Sequence, residues 1–137
     1  MTLLQLIPIL AALGFVVYNV GHPTFDGTPG PNSWILPAVL SAGFLAFTLY
    51  GVAVEGLVQF WINHTNTITG NQVWLDLLLA ISIAFTLMAP EARRLGMKPA
   101  LWLVAICLTG CIAVLAMLAR MFWLKARMGE MPAAAAS

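Results

Sequence analysis

Residues 34–61 read WILPAVLSAGFLAFTLYGVAVEGLVQFW, a run of 28 positions with a single charge, Glu55. A helix needs roughly 20 apolar residues to cross the ~30 Å hydrocarbon layer, where each unpaired backbone group costs several kcal/mol. This run exceeds that length and ends on tryptophans, which settle at the headgroup level. At ~1.5 Å per residue, one continuous helix holds Trp34 and Trp61 roughly 40 Å apart, the thickness of a bilayer with its interfaces. The segment predicts a transmembrane helix.

Similar stretches lie on either side. Towards the N-terminus, Leu3 to Val20 is apolar apart from Gln5, Pro8 and Asn19. It lacks the basic start and small-residue cleavage site of a signal peptide, so it reads as a retained first span that Pro8 can kink. Gly21, Pro23, Gly27, Pro29, Gly30 and Pro31 break every period between Gly21 and Ser33, and His22, Asp26 and Asn32 make that stretch an aqueous loop. Towards the C-terminus, the polar run Asn63 to Gln72, with its Asn-His-Thr sequon, precedes a third span from Val73 or Trp74 to Pro90. A charged turn, Glu91 to Lys98, then leads to Pro99, which suits the first turn of a fourth helix, Ala100 to Leu124. The expected fold is all-α, an integral membrane bundle of four transmembrane helices over residues 1–125 with a flexible tail, 126–137.

Composition agrees. The chain is 61% hydrophobic and 8% charged, with a mean hydropathy of +0.94, whereas soluble domains use about 45–50% apolar and 25% charged residues. A formal net charge of +1 offers no basic field for nucleic acid. The spans consume nearly all of the 137 residues, so any active site must be built from the helices. Cys107 and Cys111 stand four apart on one face of an unbroken helix and read as packing residues. Small residues recur at every fourth position, Ala38, Ala42 and Ala46 in the second span and Ala105, Thr109 and Ala113 in the fourth, as contact seams between helices do.

With four spans, Glu55, Asp76 and Arg120 fall near one membrane boundary, each a few residues from a tryptophan. Ionisable groups at such depth pair or face water, so a Glu55, Asp76 and Arg120 cluster with His64 above it is expected. As structure, the guanidinium joins three helices; as function, one of two acids sharing a cation carries a proton. Asp76 also suits a helix first turn, whereas Glu55 inside an apolar helix has no such explanation. The opposite face collects Tyr18, Asn19, His22, Asp26, Glu91, Arg93, Arg94 and Lys98, of which Arg93, Arg94 and Lys98 are candidates for lipid-headgroup contact. Counting positive charges leaves orientation tied, with Arg93, Arg94 and Lys98 on one side and Arg120, Lys125 and Arg127 on the other. His22 and His64, in separate loops without a second His or Cys nearby, do not suggest zinc.

The segment Val73-Trp74-Leu75-Asp76-Leu77-Leu78, the turn Glu91-Ala92-Arg93-Arg94-Leu95-Gly96-Met97 and the Trp-containing last span resemble a family of small bacterial membrane proteins of unknown function. The likeness covers the C-terminal half. The last span closes on Ala119-Arg120-Met121-Phe122-Trp123 where the family has a Pro-Leu-Phe/Leu-Tyr ending. The resemblance implies a bacterial membrane setting; the expected location is the bacterial inner membrane, as a multi-pass protein.

Three functions compete. Small size, short loops and no catalytic motif favour an accessory subunit packed on a larger photosynthetic, respiratory or other membrane complex. A lipid- or isoprenoid-modifying enzyme would use Glu55 or Asp76 as general acid. A transporter formed by oligomerisation would couple protons through Glu55. Membrane lipids and other membrane subunits are the expected partners; lipid or pigment bound on helix surfaces leaves no readable sequence mark.

Overall fold

The computed structural model describes residues 3–21 and 30–129, and every regular element among them is a helix. In chain order these are α1 (Leu3–Gly21), α2 (Ile35–Glu55), α3 (Leu57–Thr65), α4 (Ile68–Arg94), α5 (Pro99–Thr109) and α6 (Cys111–Arg127). Two of them, α2 and α4, are long and apolar enough to cross a membrane. His22, Asp26, Glu130, Pro132 and the tail beyond residue 129 lie outside the described residues. α6 continues to Arg127.

The second and fourth expected spans are each broken by a glycine. Gly56 (φ 84, ψ 151) separates α2 from α3, and Gly110 (φ 60, ψ −128) separates α5 from α6. Both conformations are open to glycine and strained for any residue with a Cβ. Each glycine still donates its N–H four residues back, Gly56 to Val52 at 2.9 Å and Gly110 to Ile106 at 2.7 Å, so the preceding helix is closed before the chain turns.

At Gly110 the chain doubles back. Along a straight helix Leu101 and Arg120 would stand roughly 28 Å apart, yet both line one cavity, together with Trp102 and Leu124. Residues 99–127 therefore form a helical hairpin instead of one crossing. With 11 residues, α5 rises only about 16 Å, too little for the hydrocarbon layer. Cys107 and Cys111 consequently sit on different helices, both as free thiols. The Ala105, Thr109 and Ala113 stripe is divided by the same turn, and of the Ala38, Ala42 and Ala46 stripe only Ala38 is half-buried.

The core gathers on α6. Ala113, Met117 and Met121, at successive four-residue steps, pack with Ala92, Leu95 and Ile106, and Ile81, Phe85 and Trp102 close around them. Met117 is fully buried. Ile112 and Ala119, seven residues apart, form a second buried stripe turned roughly 150° from the first. α2 packs against α6, and the buried Ser41 Oγ donates to the Ile112 carbonyl at 2.9 Å. This bond ties α2 to α6 between residues 71 positions apart in sequence.

α3 and α4 form a second hairpin. Only Asn66 and Thr67 separate them, so α4 begins at Ile68 and includes polar residues expected in a loop. The cause is local: Thr67 caps α4, its Oγ1 accepting from the Gly70 N–H at 2.9 Å, and Asn71 Nδ2 donates to the Thr65 and Thr67 carbonyls. Asn63 of the sequon lies in α3 and accepts from Gln59 Nε2. By contrast, α1 packs against no other helix among the described residues, and its side chains from Gln5 to Val17 are exposed.

Candidate functional site

The end of α4 is built to stop and turn. Gly96 (φ 74) follows the helix; its N–H donates to Arg93 O at 3.0 Å and the Met97 N–H to Ala92 O at 2.9 Å. This pair of bonds is the Schellman arrangement, which satisfies carbonyls that a helix end leaves free. Pro99 then opens α5 at its first turn, as the sequence predicts. The helix runs four residues past the expected end at Pro90, so Glu91, Arg93 and Arg94 project from its last turn.

Glu91 organises this end. Arg94 grips its carboxylate with two nitrogens, Nε at 2.9 Å and Nη2 at 3.1 Å, and Lys125 Nζ reaches it from α6 at 2.6 Å. A forked guanidinium on a carboxylate fixes orientation as well as charge. On α6, the guanidinium carbons of Arg120 and Arg127 lie 4.5 and 4.0 Å from the ring centre of Trp123. Each such contact contributes about 0.5–1 kcal/mol at an exposed site.

The two hairpin arms and the turn border an open cavity of about 390 Å³ that carries Lys98 and Arg120 beside Leu95, Leu101, Trp102 and Leu124. Neither cation has a carboxylate partner among the described residues. The chain has six Lys and Arg residues: Arg93, Arg94, Lys98, Arg120, Lys125 and Arg127. The Gly110 reversal and the Glu91–Lys125 contact bring all of them to one rim, and the tie in the charge count disappears.

The expected Glu55, Asp76 and Arg120 cluster is not formed. Arg120 lies by Lys98, at the end of α4 that carries Glu91, whereas Asp76 is 15 residues back along that helix, roughly 22 Å away. Glu55 and Asp76 are exposed and make no ion pair among the described residues. His64 belongs to the α3–α4 hairpin, its Nδ1 2.7 Å from Phe60 O. A carbonyl only accepts, so Nδ1 carries the proton in that bond. Near it Phe60, Trp61 and Trp74 form an aromatic group, with Phe60 and Trp74 edge-on at 6.0 Å. These residues, with Leu57 and Val58, line an apolar cavity of about 430 Å³.

Of the three candidates for headgroup contact, Arg93 is exposed, Arg94 is engaged with Glu91, and Lys98 lines the cationic cavity. Sequence reasoning missed that Arg120 belongs with Lys98. The signal was Gly110, the one glycine inside the last apolar run, at mid-length. Comparison with protein families, curated proteins and solved structures finds no match to this chain.

Proposed function

We propose that this chain is a small multi-pass membrane protein that serves as an accessory or structural subunit packed on a larger membrane complex. The observation that carries the reading is α1: it is apolar, its side chains from Leu6 to Leu13 are exposed, and no other described helix packs on it. A helix with that surface needs lipid or a partner helix around it, and a transmembrane subunit interface supplies the close packing that lipid does not. Supporting this, Glu55 and Asp76 line neither of the two cavities described above, which leaves a general acid without a pocket at its side. The setting that fits is a bacterial inner membrane, spanned by α1, α2 and α4, with the α5–α6 hairpin entering and leaving on the basic side and that basic rim cytoplasmic in accord with the positive-inside bias.

The test is photo-crosslinking in native membranes. A photoreactive residue at Leu10, 64% exposed, or Val17, 71% exposed, is expected to capture one larger membrane protein in a discrete band. Adducts with lipid alone from both positions would overturn the subunit reading.

A further inference from the structure

We infer that the cavity between the α4–α5 turn and the last turns of α6 is a binding site for a phosphate ester, occupied by the headgroup of an anionic glycerophospholipid. The inference rests on the membrane reading above but not on the existence of a larger partner.

Three observations converge there. Lys98 and Arg120 come from different ends of the hairpin, line the same space, and have no carboxylate partner among the described residues. The rim's acid, Glu91, is already held by Arg94 and Lys125 and does not neutralise them. Second, α5 starts at this site with no side-chain cap at Lys98, so the positive end of its dipole adds to the field. Third, the other side chains that line the space are apolar: Leu95, Met97, Leu101, Trp102 and Leu124.

A free inorganic anion has no use for that third feature. A glycerophospholipid does, because its phosphate lies at the headgroup level and its glycerol and first methylenes lie just below. Arg120 suits the role for a further reason. Its stacking on Trp123 leaves the edge of the guanidinium for oxygen acceptors, and a planar fork held in place loses little freedom on binding phosphate. The volume of about 390 Å³ lies within the range of small-ligand sites.

The experiment is native mass spectrometry of the full chain released from nanodiscs of mixed phosphatidylcholine and phosphatidylglycerol. Wild type is expected to retain phosphatidylglycerol selectively, and Lys98→Gln/Arg120→Gln to lose about ten-fold or more of that selectivity. The control, Arg93→Gln/Arg127→Gln, removes the same charge from the same rim outside the cavity and is expected to lose less than about three-fold. Equal loss in both double variants overturns the site in favour of diffuse surface charge. Should the cavity double variant lose its helical circular dichroism, Lys98→Gln alone, on an exposed turn, takes its place with the same criterion. Capture of inorganic phosphate without preference for phosphatidylglycerol overturns the lipid assignment. Protein that washes off membranes in alkaline carbonate overturns the membrane reading, whereas protein that stays embedded yet unselective overturns the site alone.

Discussion

Lys125 Nζ lies 2.6 Å from Glu91 Oε1, a contact between the last turn of α6 and the last turn of α4. α4 and α6 also pack on each other, with Ile81 Cδ1 3.7 Å from where a Cβ on Gly110 would sit, so the two helices run side by side in the same direction, as the intervening α5 and the reversal at Gly110 allow. The contact fixes which end of the molecule carries its positive charge.

Lys125→Ala is expected to destabilise the protein by about 0.5–1 kcal/mol, since Glu91 keeps Arg94 and the pair is partly exposed. Glu91→Ala is expected to cost more, because it removes the acceptor for both cations. A double-mutant cycle on thermal unfolding in detergent measures the coupling. Coupling within error of zero for Glu91 and Lys125 would show that the α4 and α6 ends are not joined.

Gly110→Ala introduces a Cβ where φ is +60. The nearest atom, Ile81 Cδ1 at 3.7 Å, leaves room, so the cost is backbone strain, about 1–3 kcal/mol. Relief comes from straightening α5 into α6, which sends Arg120, Lys125 and Arg127 to the far side. A reporter fused at the C-terminus and one inserted in the Gly96 turn are expected on the same side of the membrane in wild type. In Gly110→Ala they are expected to separate in part of the population. Opposite sides in wild type would refute the hairpin.

Gly70→Ala tests the second hairpin by sterics alone. A Cβ there would fall 2.6 Å from His64 O and 2.9 Å from His64 C, and backbone atoms cannot turn aside as a side chain can. The expected loss is about 1–3 kcal/mol, with Trp61 and Trp74 moving apart. Unchanged thermal stability and tryptophan fluorescence would contradict the close approach of α3 to α4.

Ser41→Ala removes the hydroxyl that bonds Ile112 O and is expected to cost about 0.5–1 kcal/mol, the usual worth of one polar contact between membrane helices. Ser41→Leu adds bulk at a buried position and should cost more, about 1–3 kcal/mol. If leucine is tolerated as well as alanine in unfolding assays, α2 does not pack on α6 at this level.

Much of this architecture is legible in the sequence because the rules that start, extend and stop helices are local. Apolar run length, the turn residues around Gly96, Pro99 at a helix start and the absence of any alternation typical of strands determine by themselves an all-helical chain with long apolar helices. What the sequence leaves open is where an apolar run stays straight. Gly56 and Gly110 have apolar residues on both sides, and a glycine within a helix costs only about 1 kcal/mol and is commonly tolerated there. Whether the chain passes through such a residue or turns at it depends on whether the two halves gain more by packing on each other than by continuing. That gain comes from Ala113, Met117 and Met121 against Ile106 and Leu95, residues distant in sequence whose fit exists only once folded. The tertiary structure alone decided that Arg120 lines a cavity with Lys98 and lies far from Asp76, because one reversed helix moves every charge beyond it to the other end of the molecule.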